Sequence, residues 1–113
     1  MTDLIVLGIV IHLIVDWVFQ NHWIATNKAN LKHPAGYVHA IMHTAGLVLV
    51  FPVPVAIIIG ISHLLIDTRI PVQWWQRFYG QTTDGPYAIH VQIWLDQVFH
   101  IAVITLAALL VSI

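Results

Sequence analysis

Histidine and aspartate residues occur in pairs four positions apart at four places along the chain. The pairs are His12/Asp16, His39/His43, His63/Asp67 and Asp96/His100. Because residues i and i+4 lie on one face of an α-helix, each pair would present two potential ligands on the same side of a helix. Imidazole nitrogens and carboxylate oxygens are ligands that zinc, iron and manganese accept. The spacing therefore predicts a metal site built from the inward faces of packed helices.

The first and last pairs belong to longer patterns that are mirror images. The first pattern reads His12-Asp16-Gln20 and the last reads Gln92-Asp96-His100. If the first and last helices are antiparallel, the corresponding residues of the two patterns lie at the same depth in the bundle. We therefore expect two layers of ligands, separated by one helical turn of about 5–6 Å. The deep layer would hold His12, His43, His63 and His100, and the shallow layer Asp16, His39, Asp67 and Asp96.

The segments that carry these pairs are strongly apolar. The chain of 113 residues is 59% hydrophobic and 8% charged, with a mean hydropathy of +0.86. Soluble domains contain about 25% charged residues, so we expect an integral membrane protein with a single transmembrane domain over residues 1–113. The absence of cysteine excludes disulfides and thiolate metal sites. Asp16 and His12 interrupt the first apolar run, which is untypical of a signal peptide.

Four spanning segments are predicted, over residues about 4–23, 36–51, 55–68 and 90–111. A helix needs about 20 residues to cross a bilayer core of about 30 Å, so the two middle segments are short and form a hairpin divided at Pro52 and Pro54. Residues 72–79 combine tryptophan, tyrosine and arginine, which favours a helix in the headgroup layer. The predicted fold is an all-α, four-helix membrane bundle with a short interfacial helix between helices 3 and 4.

The basic residues predict the orientation of the chain. All four, Lys28, Lys32, Arg69 and Arg77, follow the first and third predicted segments, and the opposite side carries none. The positive-inside rule then places both loops in the cytoplasm and both termini outside it.

A buried cluster of this composition needs compensating charge. A carboxylate near the bilayer centre costs about 2.5–3.5 kcal/mol even on the lenient insertion scale, and three aspartates lie beside five histidines here. A divalent cation would neutralise them, with zinc as the first expectation and iron or manganese as alternatives. A proton or ion relay and a purely structural polar network are the two other interpretations.

The four motifs together resemble a known family. HLIVDWVFQ, HAIMH, HLLID and LDQVFH, which extend from His12 to His100, are similar to an uncharacterised bacterial and phage membrane family, domain of unknown function number 3307. The aspartate, aromatic and glutamine residues of that family's pattern are matched at Asp16, Trp17 and Gln20. More loosely, the pairs are similar to those of integral-membrane metal-dependent hydrolases. A bacterial family implies that the chain is integral to the inner (cytoplasmic) membrane.

Three functions fit these observations. The first is a metal-dependent hydrolase acting on a lipid or membrane-embedded substrate, with Asp16 or Asp96 as general base because the chain has no glutamate. The second is a divalent-metal or proton translocator that works as an oligomer, which the mirrored pattern favours. The third is a non-catalytic small membrane subunit. Membrane lipids and further copies of the chain are the expected partners, and no basic stripe suggests a nucleic acid.

Overall fold

The computed structural model describes all 113 residues and contains six helices and no strand. The helices are α1 (Thr2–Trp17), α2 (His22–Asn27), α3 (Pro34–Leu47), α4 (Val53–Asp67), α5 (Ile70–Tyr79) and α6 (Ala88–Ser112). The all-α class predicted from the sequence is confirmed.

Local chemistry explains where several helices begin. The Asn21 side chain accepts a hydrogen bond from the Ile24 N–H at 2.9 Å, and His33 Nδ1 accepts one from the Ala35 N–H at 3.1 Å. Each side chain thereby satisfies a free donor in the first turn of its helix. Pro34 and Pro54 lie in the first turns of α3 and α4. Backbone N–H groups in a first turn have no partner within the helix, so proline, which lacks an N–H, breaks no hydrogen bond there. Pro52 and Pro54 therefore mark the division between α3 and α4, as predicted.

The first helix is shorter than predicted. It ends at Trp17 rather than near Trp23, and a separate helix, α2, follows. The cap at Asn21 is the physical reason, since its side chain starts a new helix at a point where the apolar pattern alone would continue the first one. The second and third predicted segments correspond to α3 and α4, with 14 and 15 residues.

The helices differ in whether they are long enough to cross a membrane. By length and composition one helix, α6 with 25 residues, could cross a membrane, and α4 with α5 would add a second if this pair, bent by 61°, forms one span. The lengths of α1, α3 and α4 therefore do not confirm four spanning segments.

The four longest helices pack in a ring. Their cyclic order is α1, α3, α4, α6, and the backbones of the diagonal pairs α1/α4 and α3/α6 do not approach each other closely. Helix α2 lies against α3, and α5 lies against α4 and α6. This arrangement turns one face of each long helix toward a common axis, which is where the paired ligands must meet.

Close approach of α3 and α4 depends on Gly60. A Cβ at this position would collide with Thr44 Oγ1, and the Ala40 carbonyl oxygen would be 3.4 Å away. Glycine therefore allows the backbones to approach closely, as small residues do at many helix interfaces.

An apolar core fills the end of the ring near the α3–α4 connection. Its buried members are Leu47, Phe51, Ala56, Ile59, Ile104 and Ala108. These residues come from the carboxyl end of α3, the α3–α4 connection, the first half of α4 and the second half of α6. The polar residues must therefore lie toward the other end of the molecule.

The turn from α4 to α5 occurs at Arg69. Its φ of 68° lies in the left-handed region, and no other non-glycine residue has a positive φ. The helix predicted over residues 72–79 is present as α5, and its position at a membrane interface stays a prediction.

Candidate metal centre

All eight ligands predicted from the sequence come together inside the ring of long helices. Each of the four helices contributes one pair: His12 and Asp16 from α1, His39 and His43 from α3, His63 and Asp67 from α4, and Asp96 and His100 from α6. Seven of these residues are buried, and Asp96 alone is partly accessible, with 20% of its side chain exposed. The spacing of four thus places both members of every pair on the inward face.

The four histidines of the predicted deep layer form a compact group of rings. The His63 ring centroid lies 3.6 Å from that of His43 and 3.9 Å from that of His100, and His12 lies 5.0 Å from His100. The four rings line a small void together with apolar residues of the core, including Leu47. This layer therefore faces the closed, apolar end of the ring.

Asp16 is the acceptor at which α1 meets α3. Its Oδ1 lies 2.9 Å from His39 Nε2 and 3.0 Å from His43 Nε2. Its Oδ2 lies 3.3 Å from His12 Nε2. An ionised carboxylate only accepts hydrogen bonds, so His39 and His43 donate to it through Nε2–H.

Asp67 has the corresponding place between α4 and α6. Its Oδ1 lies 3.1 Å from His100 Nε2, and its Oδ2 lies 2.9 Å from His63 Nε2. His63 Nε2 thus has a carboxylate oxygen at close range but no well-directed hydrogen bond. An imidazole nitrogen and a carboxylate oxygen this close together can serve as ligands of one divalent cation.

Gln97 links the first and last helices. Its Oε1 lies 3.0 Å from His12 Nε2, and its Nε2 donates to Asp16 Oδ2 at 3.3 Å and to Asp96 Oδ2 at 3.2 Å. An amide at this place holds the two carboxylates and one imidazole in fixed orientation, as residues behind metal ligands commonly do.

Three overlapping groups of side chains have the geometry to hold a metal ion. The groups are His12/Asp16/His43/His63, His39/His63/Asp67 and Asp67/Asp96/His100. Within each group, one ligand atom per residue lies within 4.8 Å of the others. His63 and Asp67 each belong to two groups, so neighbouring ions could share them. Donor sets of imidazole and carboxylate fit a divalent transition metal, and the buried His/Asp cluster could therefore bind one.

A cavity of about 280 Å³ opens onto the carboxylates. All three aspartates line it, with Gln20, Gln92 and Gln97, and two basic side chains, Lys28 and Arg69. The deep histidines do not line it, so the aspartates of the predicted shallow layer face the cavity and the deep layer faces the apolar core.

Two residues near the centre were outside the predicted ligand set. Gln97 directly follows Asp96 in the sequence, and this adjacency is the one local signal for it. Lys28 was interpreted only as a loop cation, yet its Nζ lies 3.7 Å from Asp67 Oδ1. Lys28 and Asp67 are far apart in sequence, so no local spacing could have paired them.

Comparison with known families identifies the relatives of this chain. A family described as protein of unknown function (DUF3307) matches residues 4–113. The chain belongs to this family. The resemblance drawn from the four motifs is therefore confirmed, whereas the looser similarity to membrane hydrolases is not shown. The chain matches no curated protein and no solved structure. The description of the family assigns no activity.

Proposed function

We propose that this DUF3307 protein is an intramembrane metal-binding protein and that its His/Asp centre hydrolyses a lipid or membrane-embedded substrate. One observation carries the proposal: four helices each direct a pair of ligands to one buried centre. A purely structural network would direct each buried polar group at a partner, yet His39 Nδ1 has no hydrogen-bond partner and His63 Nε2 contacts carboxylates without a well-directed hydrogen bond. Zinc is the first candidate for the ion, with iron and manganese as alternatives.

The outer surface supports a membrane location. Large apolar side chains cover the outward faces of the helices, including Ile41 at 67% exposed and Ile58 at 65% exposed. Such extensive exposed apolar surface is typical of a membrane or protein interface. Helices shorter than about 20 residues can be accommodated by local thinning of the bilayer or by oligomerisation. The proposed cellular location is the bacterial inner membrane.

The proposed orientation places the cavity toward the cytoplasm. Lys28 follows α2 and Arg69 precedes α5, and both line the same cavity. The two loops that contain the basic residues therefore lie at one end of the molecule, which supports their common cytoplasmic location and both termini outside. Exposed aromatic residues of α5, such as Trp74 and Tyr79, suit the headgroup layer.

The cavity supports hydrolysis because it leads from the surface to the carboxylates. A bound divalent cation would act as a Lewis acid and lower the pKa of a bound water molecule toward 7. Asp96 is the preferred general base, since it is partly exposed in the cavity and its Oδ2 accepts only one hydrogen bond, from Gln97. Asp16, buried among histidines, is the alternative base and is better placed as a ligand.

The translocator alternative is less well supported. A transported ion would need a path to both ends of the ring, but the apolar core that includes Leu47 and Ile104 fills the end beyond the deep histidines. A non-catalytic subunit would explain the bundle but not the cavity that reaches the three aspartates.

Metal content is the first test of the proposed function. We expect detergent-purified protein to contain a stoichiometric divalent metal, measured by elemental analysis, and His63→Ala/Asp67→Ala to lose most of it. His63 and Asp67 are each shared by two of the three ligand groups, so this pair should affect every position. His22→Ala/His90→Ala removes two exposed histidines outside the centre and should leave the metal content unchanged.

Either of two results would contradict a metal centre. One is protein that stays folded and metal-free after growth with supplemented zinc, iron and manganese. The other is equal metal content in both double variants. An ion relay or a structural network would then be the better interpretation, and proton flux in liposomes would separate the two.

A further inference from the structure

Two of the four basic residues in the chain lie beside the candidate metal centre. Lys28 and Arg69 line the cavity that contains the three aspartates, whereas Lys32 and Arg77 do not. They come from different connections of the fold, since Lys28 directly follows α2 and Arg69 directly precedes α5. Helices α2 and α5 do not pack against each other. Lys28 and Arg69 therefore face the same cavity from two separate parts of the fold.

Lys28 is held in this position by the backbone. A Cβ at Gly36 would lie 2.8 Å from the Lys28 carbonyl oxygen, so glycine permits the start of α3 to press against the end of α2. The Lys28 side chain is only 16% exposed, and its one close charged neighbour is Asp67 Oδ1 at 3.7 Å. An ammonium group has three donors, and Lys28 Nζ makes no hydrogen bond within the protein. A partly buried cation with unused donors is suited to an anionic ligand.

Arg69 has an unusual backbone for its residue type. Its left-handed φ of 68° turns the chain between α4 and α5, a conformation that glycine adopts without steric cost. Non-glycine residues in this region occur preferentially at functional sites. Arg69 at this turn lines the cavity, so a cationic residue occupies a position where glycine would be free of strain.

The cavity also has an apolar wall. Trp17, Ala25, Val72, Ile89 and Ile93 line it beside the charged residues. Apolar groups next to paired cations suit an amphiphile whose anionic group enters the cavity while its hydrocarbon part lies along the wall.

We propose that Lys28 and Arg69 form a phosphate subsite, and that the substrate of this centre is a phosphate-bearing amphiphile. Phosphate suits the pair because arginine binds its oxygens in a fork and lysine provides a point charge. A phosphomonoester dianion offers one negative charge to each of the two cations, which a single carboxylate would not. The assignment as substrate rests on the proposed hydrolase function, whereas binding of phosphate does not.

The reaction implied for a phosphomonoester is balanced without a further reactant. The oxygen of water forms a bond to phosphorus, and the bond from phosphorus to the ester oxygen breaks. Asp96 accepts the proton of the attacking water and returns it to the leaving oxygen, which keeps the electron pair of the broken bond. The products are an alcohol that stays with the apolar wall and inorganic phosphate.

Binding by purified protein in detergent micelles tests the subsite. The probes are dioleoyl phosphatidic acid, dioleoylglycerol with the same acyl chains, and inorganic phosphate. We expect phosphatidic acid to bind, dioleoylglycerol to bind at least about tenfold more weakly, and inorganic phosphate to compete only at much higher concentration. Lys28→Gln and Arg69→Gly should each weaken phosphatidic acid binding by about tenfold.

The variants are chosen so that loss of binding is not loss of folding. Glycine fits the left-handed turn at Arg69, so Arg69→Gly should unfold at the same or a higher temperature than the wild type. Lys32→Gln/Arg77→Gln removes two exposed cations outside the cavity and should bind as the wild type does. All titrations are compared at equal metal content, measured on the same samples, so that a protein without metal still tests the subsite.

Three results would overturn the subsite. They are equal binding of phosphatidic acid and dioleoylglycerol, unchanged binding in Lys28→Gln and Arg69→Gly, and an equal loss in Lys32→Gln/Arg77→Gln. Inorganic phosphate that binds as tightly as phosphatidic acid would remove the amphiphile from the proposal. None of these results alters the metal content of His63→Ala/Asp67→Ala, so failure of the subsite and failure of the metal centre are distinguishable.

Discussion

At the scale of single residues, the three aspartates of the centre have different surroundings. Asp16 and Asp67 are buried, and each lies within 3.1 Å of two imidazole nitrogens. Asp96 lies at the cavity wall, with His100 Nε2 at 3.5 Å and one hydrogen bond from Gln97. A buried donor left without an acceptor costs about 1–3 kcal/mol, whereas water can replace a partner at an accessible position.

Alanine substitution should therefore reduce stability more at Asp16, which is a buried acceptor, than at Asp96, which lies at the cavity wall. We expect Asp16→Ala to lower the free energy of unfolding by about 2 kcal/mol or more, since His39 and His43 lose their shared acceptor. Asp96→Ala should lower it by less than about 1 kcal/mol. Thermal unfolding in detergent with chelator present measures both. Equal melting temperatures for the two variants would contradict this division.

At the scale of helices, the contact between α3 and α4 sets the distance between two ligand pairs. Gly60 faces Thr44, and the Thr44 hydroxyl is held in place by donating to the Ala40 carbonyl oxygen at 2.9 Å. Because His43 and His63 lie one turn or less from these residues, any separation of the helices would also separate the ligands.

Gly60→Ala should push the two helices apart. We expect the variant to lose about 1–3 kcal/mol of stability and part of its metal content, because the new Cβ collides with Thr44 Oγ1. Thr44→Ala removes this oxygen, so the double variant Thr44→Ala/Gly60→Ala should recover much of the loss. Melting temperatures of the two single variants and the double variant give the coupling. Strictly additive effects would show that the contact does not control the helix spacing.

At the scale of the whole molecule, charge and apolar surface are segregated. Lys28 and Lys32 follow α2 and Arg69 precedes α5, and Lys28 and Arg69 line the cavity. Helix α6, in contrast, carries no formal charge after Asp96. A membrane-inserted chain with this distribution is expected to have the cavity in the cytoplasm.

Single cysteines test this orientation, since the native chain has none. Lys32→Cys should resist a membrane-impermeant thiol reagent added to the outside of intact cells and react once the membrane is opened. Ile113→Cys, at the opposite predicted side, should react from outside immediately. Both positions are exposed in the structure, so slow labelling cannot be attributed to burial. The reverse pattern would invert the proposed topology.

Residue spacing determined the local part of this structure. The i, i+4 pairs required helices and shared faces, and His63 with Asp67 shows this because their side chains meet 2.9 Å apart within one helix. The apolar composition and the prolines likewise determined an all-α chain divided between α3 and α4. Family membership followed from the same four motifs. Periodicity is a local property, so a single sequence is enough to reveal it.

Tertiary structure decided which separate segments meet. The cyclic order of the helices, the contact of Lys28 with Asp67 and the bridge made by Gln97 all join residues distant in sequence. The early end of α1 was also missed, because one cap at Asn21 outweighed a continuous apolar pattern. These features depend on how side chains from different helices pack against each other, and the helical periodicity of a sequence does not specify that packing.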